Sequence, residues 1–600
     1  MGVLISSMFV VLSLRLIRLQ VVHYDMYLRQ SETNRVRVLE QPPLRGLMYD
    51  RNGRLLVDNY PSYTLLGVPM MLERDTATRD SLLELTGLEE SEFNRRLRRI
   101  PGNRYTPVRL VRDLPFPTLA ALEERRARMP GIMFRVETKR AYPTPVAPHT
   151  LGHIGELKED AAEKYPNQQV GDIVGLAGLE VHWNDVLTGQ KGFEYLEVDA
   201  LGRVVGPLPG AKAVQPQQGS DLILTLDLDL QLRAEELLGD FAGAVVAMQP
   251  ATGEVLAIAS KPDYPPETFA GLLTPEEWRR LQEDEKTPLM HRAIQGLYPP
   301  GSIFKMSMLA SGLQSETINT TWKVQCNGVY QLGRRPFRCW NRRGHGEVDH
   351  QLAIEGSCDI FFYLLGNKLG IDKFHTENSR FGFGKVTGID LPHESAGLLP
   401  GREFMDRRYG ENRWTSGHLF NISIGQGDVL VTPIQSAVYA SALANGGWWV
   451  TPHLVREIRD PEGEVTQVAA PERHEIGIDP EIIELVRNDM MLVTEGAHGT
   501  ARWLYDPRIR IAGKTGTSQN PQGEDHALFV AFAPFEDPQI AVAVVVEHGE
   551  HGSTAAAPIA MKLIRQYMGL DDETWLRYRW KVIADQRRSQ AQIEPLEATE

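Results

Sequence analysis

Tyr298-Pro299-Pro300-Gly301-Ser302-Ile303-Phe304-Lys305 is the stretch on which the reading of this chain turns. Two prolines and a glycine disfavour helix, so a helix is predicted to begin near Ser302, with Lys305 one turn on and on the same face. A serine hydroxyl is a poor nucleophile until a neighbouring base takes its proton. Lys305 can do this only as a neutral amine, which requires burial or nearby positive charge. Taken alone, S-x-x-K is also what an N-cap serine beside a surface lysine looks like. Two later segments change its meaning. Ser357-Cys358-Asp359 precedes the aromatic run Phe361-Phe362-Tyr363 and reads as a turn entering a buried helix, adding a second hydroxyl and a carboxylate. Lys514-Thr515-Gly516-Thr517 follows the apolar strand predicted at 509–513. It adds a cation, hydroxyls able to bind a carboxylate, and a glycine that lets a ligand backbone approach. Lys514 is the expected source of the charge that keeps Lys305 neutral. The backbone N–H groups of Ser302 and Thr517 are candidates for an oxyanion hole.

Outward from these segments, strands are predicted at 222–227, 243–248 and 254–259, and again at 509–513, 527–533 and 539–546. Strands early and late around a helical block imply an α+β domain with one antiparallel sheet and helices on its faces. The Pro-, Gly- and Gln-rich stretch 207–219 marks a domain boundary. Before it, Met48–Val57 reads as a hairpin closed by Asn52-Gly53, and 75–130 reads as charge-rich helix. A chain of 600 residues, 42% hydrophobic and 24% charged, is long and apolar enough for more than one buried core. Its formal charge of −14 argues against a nucleic-acid partner, which would select a basic surface.

Residues 1–14 are apolar and uncharged, and continuing to Val22 reaches spanning length only by including Arg15 and Arg18, which would snorkel to headgroups. No small-x-small cleavage site follows, so the expectation is an uncleaved membrane anchor over 1–22, with a basic cytoplasmic stub preceding Met1. The expected division is then anchor 1–22, an α+β domain 23–215, a catalytic domain 216–570, and a frayed polar tail 571–600.

The three segments together, in this order, match the S-x-x-K, S-x-[ND] and K-T-G signature of penicillin-binding proteins and serine β-lactamases. The chain resembles a class B high-molecular-weight penicillin-binding protein. Leu44-Arg45-Gly46, Tyr49-Asp50-Arg51-Asn52-Gly53 and Gly178-Leu179-Glu180 are similar to that family's N-terminal pedestal module. Thr387-Gly388-Ile389-Asp390-Leu391-Pro392, Gly425-Gln426-Gly427 and Thr432-Pro433-Ile434-Gln435 match stretches of its catalytic domain. The resemblance, over about residues 15–570, implies a five-stranded antiparallel sheet flanked by helices, preceded by an elongated α+β pedestal. It implies a D,D-transpeptidase that cross-links peptidoglycan stem peptides and is acylated by β-lactams. Ser302 would be the nucleophile and Lys305 the base. Ser357 and Lys514 would assist proton transfer, Asp359 would hold geometry, and Thr515 and Thr517 would bind the terminal carboxylate. Aspartate at 359 and the lack of appended C-terminal repeats are more similar to the rod-shape elongation branch than to the division branch. That branch implies a place in the inner membrane with the catalytic domain periplasmic, beside a SEDS-type glycan polymerase and rod-shape scaffold proteins. A β-lactamase is the first rival, but Glu394-Ser395-Ala396-Gly397-Leu398 lacks the E-x-x-L-N pattern that class A enzymes use for deacylation. A carboxypeptidase, or a β-lactam sensor, would share the same fold and acylation.

All three cysteines, Cys326, Cys339 and Cys358, fall in one short region with His345 among them. Three thiolates and an imidazole complete a tetrahedral structural Zn²⁺ set, although C-x₁₂-C-x₅-H-x₁₂-C is not a standard finger. His350 is a less central candidate. A Cys326–Cys339 disulfide is the competing reading, and it would leave Cys358 unpaired. The resemblance implies zinc here too, with acidic residues where Cys326 and Cys339 stand in Gram-negative elongation enzymes.

Overall fold

The computed structural model describes residues 2–24, 36–98, 107–198, 204–269, 275–411, 413–521 and 523–576. Its packing divides the chain into two compact units. The first takes Met1–Gly46, Asn59–Arg140 and Asp185–Asp221; the second takes Leu47–Asp58, Ala141–Asn184 and Leu222–Glu600. The contiguous 23–215 domain read from sequence is therefore drawn differently here. Two of its segments, 47–58 and 141–184, pack with the second unit.

In the first unit, helix Gly2–Ile17 continues as a π-helical turn, Arg18–Val22. The window Ile5–Val22 is long and apolar enough to cross a membrane by length and composition, and none of it is buried against the protein. A three-stranded antiparallel sheet joins Val36–Gln41, Gly192–Val198 and Val204–Pro207. The core gathers Leu65, Leu72, Leu82, Phe93, Leu110, Leu122 and Met129. Helix Thr76–Thr86 contributes to it, started by Asp75 accepting from the Thr78 N–H and stopped at Gly87 in the left-handed region. The stretch expected to be helical throughout contains the strand Val108–Val111, whose Val108 and Leu110 face the core in strand alternation.

The second unit is built on five antiparallel strands: β1 (Gly243–Met248), β2 (Val255–Lys261), β3 (Ala512–Ser518), β4 (His526–Ala533) and β5 (Ile540–Val546). Their order is β2-β1-β5-β4-β3, so β3 forms one edge. Every residue of β1 and β5 is buried, which requires cover on both faces. Helix Pro433–Ala444, buried along its whole length and begun by a Thr432–Gln435 capping box, supplies one cover. Helices Leu228–Leu238 and Ala556–Tyr567, packed on each other, supply the other.

Two expectations shift in this unit. The strand placed at 509–513 lies instead at Ala512–Ser518, so Lys514 to Thr517 are inside an edge strand rather than beyond its end. Polar side chains hid it from an apolar pattern. The tail is also not frayed where it begins. Trp575 is fully buried, its indole N–H donating to the Leu504 carbonyl (3.2 Å) and its ring lying 3.7 Å from the Arg565 guanidinium. Asp572 pairs with both Arg565 and Arg233. The rest of the expected tail, 577–600, falls outside the described residues.

Candidate active site

The nucleophile stretch is held at both sides before any helix begins. Tyr298 pairs with Val431 through backbone hydrogen bonds, and its hydroxyl donates to Glu547 (2.7 Å). Gly301 has φ +54°, and a β-carbon there would stand 2.5 Å from the Thr517 carbonyl oxygen. Only glycine fits. The expected helix start is a 3₁₀ turn, Gly301–Phe304, and the α-helix runs from Lys305 to Gln314. In a 3₁₀ turn residues i and i+3 eclipse, which superposes Ser302 and Lys305 more closely than an α-turn would. Gly301, Ile303, Phe304 and Lys305 are buried, while Ser302 alone is half-buried and open to a reactant.

Lys305 is fully buried and donates from Nζ to three acceptors: Asp359 Oδ1 (2.7 Å), the Ser357 carbonyl (2.9 Å) and Ser357 Oγ (3.2 Å). Ser357 has φ +54°, a strained backbone for a residue with a side chain, of the kind that clusters at functional sites. The surroundings hold it there. Its carbonyl accepts from Lys305 and from the Trp340 indole (3.1 Å), and the Cys358 N–H closes on Ala353 (3.0 Å). Asp359 opens the buried helix Asp359–Ser379, and its second oxygen accepts from the Trp340 N–H (2.8 Å).

Lys514 is also fully buried, with Nζ donating to the Thr515 carbonyl (3.2 Å). Burial first, and the charge of Lys305 second, push its ammonium well below the ordinary lysine value; Asp359 opposes them. Lys514 was expected to depress Lys305. In the structure Lys305 Nζ lies 2.7 Å from Asp359 Oδ1, and the charge of Lys305 acts in turn on Lys514. Gly516 also differs from its expected use. Its close neighbours, 3.1 Å from where a β-carbon would stand, are the protein's own Pro300, Ile303 and Leu528.

Sequence reasoning missed three contributors. Trp340 holds Asp359 and Ser357 as described; Thr500 Oγ1 lies 2.8 Å from Thr515 Oγ1; and the Gln426 amide donates to the Thr517 carbonyl (2.8 Å). Gln426 stood in a quoted motif but carried no assigned role. Nothing local to Trp340 or Thr500 marks them, because their contacts exist only in the folded unit.

Cys326, Cys339, His345 and Cys358 converge, with their ligand atoms all within 4.8 Å of one another. His345 Nδ1 is 3.5 Å from Cys326 Sγ and 3.6 Å from Cys339 Sγ. The three cysteines are buried and free. A hydrogen bond from Cys358 is the main cause that draws the Cys339 thiol down to about 3, and Cys358 is raised in turn. Three buried sulfurs and an imidazole nitrogen so close together fit a closed tetrahedral cation site. His350 is not in the set, since its Nδ1 lies 2.7 Å from Asp489.

Comparison with known proteins agrees with this geometry. Residues 243–565 match the penicillin binding protein transpeptidase domain, and residues 40–224 match the penicillin-binding protein dimerisation domain. The chain is similar to the peptidoglycan D,D-transpeptidase MrdA of Acinetobacter baumannii, 34% identical over 568 residues, which cover 91% of this chain and 84% of that one. Among solved structures it is similar to penicillin-binding protein 2 in its complex with MreC from Helicobacter pylori. That match has a TM-score of 0.78 at 28% identity and covers 89% of this chain and 99% of the other. A chain of a peptidoglycan synthase complex that coordinates polymerization and crosslinking matches with a TM-score of 0.69 at 29% identity, over 95% and 98% of the two chains. With a transpeptidase domain over more than half its length and a dimerisation domain before it, this chain belongs to the class B penicillin-binding proteins.

Proposed function

We infer that this protein is a serine-type peptidoglycan D,D-transpeptidase of the cell-elongation system, acylated at Ser302 and inhibited there by β-lactams. The observation that carries the reading is the convergence of Lys305, Ser357, Asp359 and Lys514 in one buried polar cluster, one turn from a half-exposed serine. Ser302 Oγ attacks the penultimate D-Ala carbonyl of a stem peptide as Lys305, in its neutral form, takes the hydroxyl proton. Asp359, 2.7 Å away, stabilises the ammonium so formed. The proton returns through Ser357 Oγ to the departing D-Ala nitrogen as the peptide bond breaks, leaving an ester on Ser302. Lys514, held toward its neutral form, keeps a second full cation from competing for Asp359. An amine of a neighbouring stem then attacks the ester, its proton returning to Ser302 Oγ, and a cross-link forms. Thr515 and Thr517 bind the donor's terminal carboxylate, and Thr500 adds a third hydroxyl to that group.

The apolar helix through Val22 serves as a single inner-membrane anchor, with the catalytic unit in the periplasm. Likeness to the solved complexes supports partners of the same kind, an MreC-type scaffold and a SEDS-type glycan polymerase. We also propose a structural Zn²⁺ at Cys326, Cys339, His345 and Cys358, on the strength of their donor chemistry. When bound, zinc supplies a cross-link and no open coordination position. Cys358 sits between Ser357 and Asp359, and Cys339 adjoins Trp340, so the four side chains fix the two strands of chain that meet at the Asp359 carboxylate.

Intact mass after brief exposure to a labelled penicillin tests the central claim. The expected result is one long-lived adduct per chain, absent in Ser302→Ala. Rapid penicillin loss without an adduct would instead make the protein a β-lactamase, and neither adduct nor loss would refute the assembled site.

A further inference from the structure

Arg334, Arg335, Arg338, Arg342 and Arg343 place five cations in ten residues of a chain whose formal charge is −14. All five are exposed, and none is in an ion pair among the described residues. The fold presents them deliberately. Strands Val329–Leu332 and Arg335–Arg338 form a hairpin with Leu332 opposite Arg335, closed by Gly333 (φ +58°) and Arg334, the pattern of a tight two-residue turn with glycine first. Its inner face is anchored by Tyr330 and Phe337, whose rings lie 5.7 and 4.8 Å from Phe420. The Tyr363 hydroxyl fastens its end by donating to the Arg338 carbonyl (3.2 Å). The chain then runs directly into Cys339 and Trp340, the residue that donates to Asp359 and Ser357. Arg338 and Arg342 thus flank, two residues to either side, a residue that touches the catalytic groups. Arg342 is close enough for its charge to act on the Tyr363 phenol. Trp340 itself keeps an exposed indole between them.

A cationic ribbon with no ion-pair partner among the described residues, running into the residue that holds Asp359 and Ser357, suits an anionic second substrate. We propose that this hairpin is the acceptor subsite: it binds free carboxylates of the incoming stem peptide and presents the peptide's amine to the Ser302 ester. The proposal rests on the transpeptidase reading above and names which acceptor that reaction prefers. The donor's terminal carboxylate is already provided for by hydroxyls on β3, so the guanidinium groups are left for the acceptor. Arginine's planar fork suits carboxylate recognition, and the attraction weakens with salt because the cations are exposed.

The test uses the full-length chain, an ester donor peptide, and a synthetic stem-peptide amine with its carboxylates either free or amidated. The readout is the ratio of transfer to hydrolysis. Wild type is expected to favour the free-carboxylate acceptor by about tenfold, as two or three exposed ion pairs would give, and to lose the preference at high salt. The combined variant Arg334→Gln, Arg335→Gln, Arg342→Gln, Arg343→Gln should fall to the amidated level for both acceptors, while the corresponding four lysine replacements recover most of the preference. Penicillin acylation needs no acceptor and shows that the glutamine variant is folded. A glutamine variant that acylates normally and keeps the wild-type preference overturns the subsite. So does loss of binding to vesicles of anionic lipid with acceptor preference intact, which assigns the ribbon to a membrane surface. Wild type that is not acylated at all refutes the transpeptidase reading, and the subsite with it.

Discussion

Replacing Gly301 with alanine tests how closely the nucleophile turn must sit against β3. A left-handed backbone costs an alanine about 1–2 kcal/mol. The added β-carbon, 2.5 Å from the Thr517 carbonyl, must also move away by roughly 1 Å to reach ordinary contact distance. That movement opens the gap between Ser302 and the strand carrying Lys514 and Thr517. A misplacement of about 1 Å in a reacting geometry lowers a rate by roughly 10²-fold. Gly53 provides the control, because it has φ +81° and nothing within 4 Å of its added β-carbon. Gly53→Ala therefore meets the backbone term without the displacement. The assay is the second-order rate of acylation by a fluorescent penicillin, with thermal unfolding followed in parallel. Gly301→Ala should lose more stability than Gly53→Ala and acylate roughly 100-fold more slowly, while Gly53→Ala should acylate like wild type. A folded Gly301→Ala protein that acylates within about threefold of wild type, a barrier change under about 1 kcal/mol, would refute the argument that this contact sets the site.

Three further outcomes follow from the packing. Purified protein should carry close to one zinc per chain, and Cys339→Ser should lose the metal, unfold at lower temperature and acylate more slowly; metal analysis alongside the penicillin assay checks all three, and zinc well below stoichiometry in wild type sinks the assignment. Trp575→Ala should cost about 3–5 kcal/mol, as for other large buried aromatics, read from urea unfolding; a value near zero would mean the ring is not packed as described. Burial holds the His153 imidazole down to about 4, with its ring stacked on Phe269, so the folded state resists a proton that the unfolded state accepts. Stability should therefore be unaffected by this group above pH ~6.5 and fall by up to about 3 kcal/mol as pH drops toward 4. His153→Phe should flatten that part of the profile relative to wild type, and parallel profiles would contradict the assignment.

The site was legible where chemistry sits in short contiguous segments. Ser302 with Lys305, and Ser357 with Asp359, each lie within one turn of chain, and the clustering of three cysteines with His345 is visible in the spacing alone. What was not legible depends on tertiary contact. β3 was placed too early because Lys514, Thr515 and Thr517 do not look like a buried strand, and only the pairing with β4 makes them one. Trp340 and Thr500 act through partners distant in sequence. That 47–58 and 141–184 pack with the second unit was not visible, because they carry no composition that distinguishes them from their neighbours. Likewise a tail rich in charge concealed Trp575, whose burial depends on Arg565 and Leu504.

The sheet order has a temporal consequence. Its middle strand, β5, is the last of the five to leave the ribosome, yet β1 and β4 can join the same sheet only through it. Nearly three hundred residues separate β1 from that partner. Until β5 emerges, the apolar β1–β2 hairpin has an unpaired edge and its helices have no complete surface to cover. Closure of the domain is thus a late, long-range event, of the kind that folds slowly and leaves strand edges exposed meanwhile. A nascent chain of this enzyme should depend on protection against edge-to-edge aggregation from the emergence of β1 until that of β5, and any truncation before residue 546 should yield no partial sheet worth keeping.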